Sequence, residues 1–392
     1  MMSSFARRLA VLCALLALLG AVPRHVQTAD YYAGYAGTKT VPPSIAARWL
    51  SWAETDAPGS RSLAGTGVRP IMYTNPNRIA PSDSMYADND ALFAHTCSGQ
   101  RARGESGHAG ILLSDPRSTT LVAAWRKTIQ EHAEGGHFDA IFADDAVGDV
   151  YAQDQPCGYN IRSWLQGENQ LFAGAGYPII YNGLNYFTNR TVAPEIVLNQ
   201  HAVGGMMEEC YARLSQDHRV GGDAWFATEK TEIEMAREHK YFFCYGRDLT
   251  PAEQAYDGRL YTYASFLLTY DPGTSVLWEY YKTPSNGHVM PESQLVALDP
   301  VRQAVPNVDV LRTADGVYQR AYSACYMAGR PVGPCVVAVN PDTGSAHPLN
   351  LSGYRRTLAL HGSGVFDGGT SSISSAPPPS QLQPLGAVIA FK

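Results

Sequence analysis

Two pairs of neighbouring acids, Asp144-Asp145 and Glu208-Glu209, each follow a short apolar run, Phe138 to Ala143 and Gly204 to Met207 respectively. An apolar run that ends abruptly in carboxylates is how a buried parallel strand looks where its C-terminal end opens onto a functional site, because both faces of such a strand are covered and only its end meets solvent. Side chains alternate along a strand, so Asp144 shares the face of Phe142 and Ala140, while Asp145 points the other way. The same parity places Glu208 with Met206, which favours it over Glu209; a bulge near the site would reverse that choice. The competing reading of His137 to Val147 (HFDAIFADDAV) is a strand followed by an acidic turn or a helix N-cap, for which Asp is equally suited.

Two carboxyl groups from separate strands can cut a glycosidic bond if one attacks the anomeric carbon, or activates water, and the other protonates the leaving oxygen. The expected roles are Asp144 as nucleophile and Glu208 as acid/base. A metal-dependent hydrolase would instead use Asp144, Asp145 and Glu208 as oxygen ligands. No HExxH or HxH cluster accompanies the acids among the eleven His, and neither metal nor cofactor is expected. A non-catalytic carbohydrate-binding protein on the same scaffold is the other alternative.

The elements that would position these acids are eight strand candidates: Ala47 to Ala53, Arg69 to Tyr73, Ala109 to Leu113, Phe138 to Ala143, Tyr177 to Tyr181, Gly204 to Met207, Lys240 to Tyr245 and Thr274 to Trp278. The first could equally be a helix begun at Pro43. Amphipathic stretches lie between them at Thr119 to Glu134, Ile161 to Ala173, Trp225 to Glu238 and Pro251 to Leu268. This alternation predicts an α/β fold, a (β/α)8 TIM barrel over residues 30–294. A doubly wound open sheet would want a glycine-rich phosphate loop after its first strand, and none is present there. From Leu295 to Lys392 short β-like runs at Val308 to Leu311, Gly316 to Ala324, Cys335 to Asn340, Thr357 to Leu360 and Val388 to Phe391 predict a C-terminal all-β sandwich domain, with Thr370 to Pro379 as a loop within it.

Barrel active sites sit at the C-terminal ends of the strands. The polar residues following the strand candidates are Thr74 and Asn75, Ser114 and Asp115, Asp144 and Asp145, Asn182, Glu208 and Glu209, Arg247 and Asp248, and Glu279. Tyr73, Tyr181, Tyr211, Tyr245 and Trp278 lie beside them, and aromatic faces next to carboxylates suit sugar rings. The expected substrate-binding residues are therefore Tyr73, Asn75, Asp115, Asp145, Tyr181, Asn182, Glu209, Tyr245 and Trp278, with a carbohydrate as the partner.

Residues 1–29 read as a secretory signal, with Arg7 and Arg8, an apolar run from Leu9 to Val22, and Ala21 or Ala29 before the cut. That run is too short to span a membrane, so a secreted or extracytoplasmic chain without a membrane anchor is expected. The formal charge of −6 shows no basic stripe and argues against nucleic acid. Cys13 falls in the signal, leaving six cysteines without CxxC spacing, which suits disulfides. Barrel topology would bring Cys210 to Cys244 and Cys97 to Cys157, with Cys325 and Cys335 closing a hairpin. Asn189 and Asn350 begin glycosylation sequons.

The motifs FDAIFADD, GGMMEECY, RPIMYTNP, LLSDP and VVAVNP resemble those of the barrels grouped as hypothetical glycosyl hydrolase family 15, which are similar more distantly to α-galactosidase-like and endo-α-1,4-polygalactosaminidase barrels. The resemblance, over about Ala46 to Lys392, implies a secreted sugar-cleaving (β/α)8 barrel with a C-terminal β-sandwich. In the distant relatives the acids follow strands four and six, which correspond here to Asp144 and Glu208.

Overall fold

The computed structural model describes residues 26–32, 43–80, 89–104, 110–146, 154–184, 201–212, 219–246, 256–278, 291–301, 305–361 and 370–392. The barrel begins with β1 (Thr28–Tyr31), then α1 (Pro43–Trp49), β2 (Trp52–Glu54), α2 (Ala57–Ser62) and β3 (Arg69–Thr74). An excursion carrying β4 (Arg78–Ile79) and β5 (Leu112–Leu113) follows, and then α3 (Thr119–Ala133), β6 (Ala140–Ala143), α4 (Ile161–Ala175) and β7 (Ile179–Asn182). The barrel closes through β8 (Ala202–Glu208), α5 (Gly222–Arg237), β9 (Tyr241–Tyr245), α6 (Tyr256–Thr269) and β10 (Ser275–Trp278). Eight strands pair in parallel in the order β1-β10-β9-β8-β7-β6-β3-β2, with Ala29 of β1 opposite both Trp278 and Trp52 to close the ring.

The strands carry β-branched and aromatic residues whose alternation fills the barrel. Ala29, Trp52, Ile71, Ala140, Phe142, Ile180, Met206, Phe243, Tyr245, Val276 and Trp278 form one inward-facing cluster. Residues of the opposite parity, such as Met72, Ile141, Ile179 and Tyr181, pack with the helices. At the N-terminal end Arg69 closes the barrel, its guanidinium 3.6 Å from the Trp52 ring centre and donating to the Tyr241 hydroxyl at 2.6 Å. Helix α4 shows how local signals set the outer layer. Asn160 caps it by accepting from the Ser163 N–H, Gly176 ends it at φ +78°, and Trp164, Leu171, Phe172 and Ala175 bury one face.

Two of the expected barrel strands differ. The first barrel strand is Thr28–Tyr31, and the run Ala47 to Ala53 divides between the end of α1 and β2. Pro43 at the helix start and the burial of Ala46, Trp49 and Leu50 against Tyr32, Leu63 and Val68 favour the helix. The run Ala109 to Leu113 supplies β5, which pairs antiparallel with β4 outside the barrel. The excursion has a local partner for that run and a disulfide, Cys97–Cys157, that ties it to the segment before α4, so AGILL is satisfied without entering the barrel. One strand gained and one lost leave the fourth to eighth strands where the sequence places them.

The C-terminal region is a six-stranded antiparallel sheet, β11 (Leu295–Pro300), β12 (Tyr318–Met327), β13 (Arg330–Asn340), β18 (Gly386–Phe391), β15 (Arg356–His361) and β16 (Thr370–Ser374) in spatial order. A second small sheet joins β14 (His347–Pro348) to β17 (Gln381–Leu382), and its Leu349 and Leu382 pack with Val317, Ala338 and Val388. Two details depart from expectation. Val308–Leu311 is a 3-10 turn capped by Asn307, and Thr370–Ser374, expected as loop, pairs with β15 as a strand. The sheet docks on α6. Arg320 reaches from β12 to the carbonyls of Leu268 and Tyr270, where cationic donors complement a helix C-terminus, and Arg259 pairs with Glu292 in full burial.

The cysteines pair as topology predicts: Cys97–Cys157, Cys210–Cys244 and Cys325–Cys335, with Cα separations of 4.6, 5.5 and 6.1 Å. Asn350 lies exposed at the surface, whereas Asn189 falls outside the described residues. No helix among the described residues is long and apolar enough to cross a membrane.

Two acids of α5 are buried where α6 and the sheet meet. The Thr269 hydroxyl lies 2.6 Å from Glu229 Oε2 and 2.8 Å from Glu232 Oε2, but it carries one hydrogen, so one acid has to supply a proton for both contacts to be hydrogen bonds. Burial, aided by the charge of Glu232, pushes Glu229 well above the usual carboxylate range, and burial pushes Glu232 up to about 7. Above the ordinary carboxylate range the folded chain therefore still holds protons that the unfolded chain has already released. Stability should be full below the unfolded value near 4.5 and be lost as pH rises from there through about 7, by about 1.4 kcal/mol per pH unit for each acid that is protonated in the folded chain alone. Calorimetry from pH 4.5 to 8 should show this slope in the wild type and a flatter one in Glu232→Gln.

Position of β1 also bears on processing. The part of the expected signal before Val26 lies outside the described residues, yet a cut after Ala29 would discard Thr28 and Ala29, both wholly buried and paired with Leu277, Trp278 and Trp52. N-terminal sequencing of the mature chain should therefore find a terminus before Val26; a terminus at Asp30 would contradict the closed barrel.

Candidate active site

The strand parity that fills the barrel also decides what reaches its mouth. Phe142, Ile180 and Met206 point inward, and two residues further along each strand the same side presents Asp144, Asn182 and Glu208. Asn182 Nδ2 donates to Asp144 Oδ1 at 2.8 Å and to Glu208 Oε1 at 2.8 Å. The two hydrogens of one amide nitrogen diverge by about 120°, so these oxygens stand about 5 Å apart. Asp144 takes two further donors, the Tyr73 hydroxyl on Oδ2 at 2.6 Å and the Asp145 backbone N–H on Oδ1 at 2.9 Å. All of its partners are donors, and they hold the carboxylate in one orientation.

Asp145 and Glu209, the second member of each acidic pair, both have left-handed backbones, with φ of +53° and +58°. Non-glycine residues rarely adopt that region, and those that do cluster at functional turns. At Asp145 the strain is balanced by a polar cradle. Asn75 Nδ2 donates to Asp145 Oδ2 at 2.7 Å, Arg78 lies 3.2 Å from Oδ1, and Asn77 Nδ2 donates to the Asp145 carbonyl at 3.1 Å. Burial, then the charge of Asp144, pushes the Asp145 carboxyl up to about 7, against the opposing pull of Arg78 and Asn75. Asp145 thus braces the turn that carries Asp144. Among the described residues no group of three His, Cys, Asp or Glu is arranged to hold a metal ion.

Below the acids the floor is aromatic. Tyr73 stacks near Phe142 at 6.1 Å, Phe142 meets Trp278 at 5.7 Å, and Tyr245 meets Trp278 edge-on at 6.2 Å. Tyr73 is half-buried, whereas Tyr245 and Trp278 are buried in the floor itself.

The sequence-predicted residues therefore separate into groups. Tyr73, Asn75, Asp144, Asp145, Asn182 and Glu208 come together as one hydrogen-bonded set, with Tyr245 and Trp278 beneath it. Two candidates do not join them. Tyr181 is buried outside the barrel against Phe172, at 5.8 Å, because it has the parity of Ile179, opposite to Asn182. Asp115 follows β5, not a barrel strand, and its carboxylate is held by Arg117 at 2.7 Å. Glu209 lies beside Glu208 in the strained turn. Arg247, Asp248 and Glu279 fall outside the described residues. Sequence reading overlooked Asn77 and Arg78; the signal was the polar run Asn75-Pro-Asn-Arg78 directly after β3.

No family model and no curated protein matches the sequence. Among solved structures the chain is similar to the glycoside hydrolase domain of PelA from Pseudomonas aeruginosa, at 14% identity over 67% of this chain and 97% of that one, with a TM-score of 0.46. It is similar to Aspergillus fumigatus Ega3 in complex with galactosamine, at 11% identity over 60% and 80% of the two chains, TM-score 0.38. It is also similar to a GH27 β-L-arabinopyranosidase from Geobacillus stearothermophilus, at 9% identity over 94% and 96%, TM-score 0.44. At these identities and scores the likeness concerns architecture and carries nothing about chemistry.

The geometry makes Asn182 the link between the acids. Asn182→Ala should lower any turnover that depends on both acids about a hundredfold, as loss of alignment does elsewhere, with less effect from Tyr73→Phe, which removes one of three donors to Asp144. Steady-state kinetics on the two variants provide the measurement. Equal activity in Asn182→Ala and wild type would show that the bridge is dispensable.

Proposed function

We propose that this chain is a secreted glycoside hydrolase that cleaves O-glycosidic bonds of a poly- or oligosaccharide with retention of configuration. The observation that carries the reading is the single Asn182 nitrogen hydrogen-bonded to both Asp144 and Glu208, which keeps their facing oxygens about 5 Å apart. Retaining glycosidases hold their two carboxyl groups about 5–5.5 Å apart, whereas inverting ones leave about 6.5–9.5 Å for a water. Asp144, fixed by three donors, attacks the anomeric carbon. As the bond to the leaving oxygen breaks, Glu208 gives that oxygen its proton. Glu208 then takes a proton from water, whose oxygen displaces Asp144 from the anomeric carbon and restores both acids.

The neighbouring groups fit that division of labour. Asp145 is engaged by Asn75 and Arg78 and keeps Asp144 in place; Tyr73 offers a half-buried aromatic edge beside the reacting carboxylate. Asn75 and Glu209 complete the proposed substrate-side lining, over the buried floor made by Tyr245 and Trp278. Three disulfides suit an oxidising compartment, in keeping with export.

A panel of plain and partly deacetylated polysaccharides, with products followed by proton NMR, tests the proposal. We expect the first-formed product to keep the anomeric configuration of the substrate, and Asp144→Asn or Glu208→Gln to lower kcat by at least about a thousandfold. Folded Asp144→Asn and Glu208→Gln proteins that hydrolyse the substrate as the wild type does would overturn the assignment, and an inverted product would overturn the proposed stereochemistry. A wild type that binds a glycan without cutting it would favour a binding barrel.

A further inference from the structure

Tyr211, three residues after Glu208, does not join the residues of the mouth. It is wholly buried in the cluster that the barrel strands share with the helices. Its hydroxyl donates to Glu232 Oε2 on α5 at 3.3 Å. That oxygen also faces the Thr269 hydroxyl at 2.8 Å, and the same hydroxyl lies 2.6 Å from Glu229 Oε2. Burial, then the charge of Glu232, holds the Glu229 carboxyl well above its ordinary range, so Glu229 keeps its proton and offers it to the Thr269 oxygen. Thr269 and Tyr211 then both turn their hydrogens to Glu232. Tyr211 draws both carboxyls downward, which is the direction a donor imposes.

The backbone between Glu208 and Tyr211 is strained and has to be held. Glu209 has a φ of +58°, a conformation that costs about 1–3 kcal/mol and persists only where the surroundings impose it. Beyond it, Cys210 donates its N–H to the Tyr245 carbonyl at 3.4 Å, accepts from Thr228 Oγ1 at 3.1 Å and is bridged to Cys244. The Tyr211 carbonyl accepts from the Val220 N–H at 2.9 Å, and its side chain carries the same segment across to α5. A buried ring fixed at its hydroxyl opposes the backbone rotation that would release the strain at Glu209 and swing Glu208 away from Asn182. We propose that Tyr211 is a positioning residue: anchored by its hydroxyl on Glu232, it holds the left-handed Glu209 turn that keeps Glu208 facing Asp144 across Asn182. Its catalytic consequence rests on the carboxylate-pair reading of the mouth; the anchoring of the turn does not.

The anchor also reaches beyond the barrel. Thr269 ends α6, and Arg320 of β12 donates to the carbonyls of Leu268 and Tyr270 on either side of it. The charge of Arg320 lowers both Glu229 and Glu232. The C-terminal sheet therefore supplies the cation that favours a charged acceptor for Tyr211, and the turn after Glu208 is tied through α5 and α6 to that sheet.

The test compares the wild type with Tyr211→Phe, which keeps the ring and removes the hydroxyl, with Glu232→Leu, which removes its acceptor, and with the double variant. Hydrogen exchange is read at two backbone amides: Cys210, in the turn, and Ile141, which donates to the Pro178 carbonyl from β6. In Tyr211→Phe, exchange at Cys210 should quicken about threefold to tenfold relative to Ile141, the size of one hydrogen bond, and the double variant should add little to Glu232→Leu alone. In kinetics, Tyr211→Phe should lower kcat by about the same factor with KM little changed. No change at Cys210, or an equal rise at both amides as in general destabilisation, overturns the anchoring. Effects of Tyr211→Phe and Glu232→Leu that multiply in the double variant overturn Glu232 as the acceptor; if Glu232→Leu does not fold, Tyr211→Phe alone decides the anchoring. A wild-type kcat in Tyr211→Phe whose Cys210 amide exchanges faster overturns the catalytic consequence. Should the wild type cleave no glycan while the exchange behaves as expected, the carboxylate-pair reading fails and the anchoring stands.

Discussion

Two carboxyl groups held about 5 Å apart in a half-buried mouth would repel by roughly 3 kcal/mol at an effective dielectric near 20 if both were ionised, so one keeps its proton and something between them has to hold both in place. Here that something is one amide nitrogen. Asn182 gives a hydrogen to each acid, and Tyr73 and the Asp145 backbone add donors on Asp144. An amide suits the place because it brings two donors on one rigid atom without adding charge. A lysine there would add a positive charge that favours ionisation of both acids, against the proton Glu208 has to give, and a hydroxyl could satisfy only one of the two.

The barrel supplies the rest of the constraint. Asn182 ends β7, which lies between β6 and β8 in the closed sheet, so the bridging residue comes from the strand that separates the two acids. The inward parity is fixed by Phe142, Ile180 and Met206 two residues below, and a slip by one residue would bury the acids among the helices. On one side the Cys210–Cys244 bridge ties the turn after Glu208 to β9. On the other, Asn75, Asn77 and Arg78 hold the turn after β6 from β3. The strained backbones at Asp145 and Glu209 are tolerated because both flanks are secured.

Much of this was legible in the chain itself, for identifiable reasons. The parity of Asp144 and Glu208 follows from period-two alternation in two uninterrupted apolar runs, and the disulfide pairs follow from which strand ends become neighbours. The first barrel strand was hidden because Thr28–Tyr31 is four residues long and lies close behind the apolar run that ends at Val22, with Ala29 offering a cleavage position, so it was drawn into the signal. Ala109 to Leu113 was misplaced because a strand's pattern records burial but not its partner, and the excursion offered β4. Tyr181 was assigned to the site by proximity along the chain, although its parity already pointed outward. The bridging role of Asn182 was not readable, since it depends on where three strand ends stand relative to one another.

The measurement that bears most directly on this account is the crystallographic separation of the Asp144 and Glu208 carboxyl groups in the ligand-free protein. The account predicts facing oxygens about 5 Å apart, each within hydrogen-bond distance of Asn182 Nδ2. Facing oxygens more than about 6.5 Å apart, or an Asn182 side chain turned away from either acid, would contradict it.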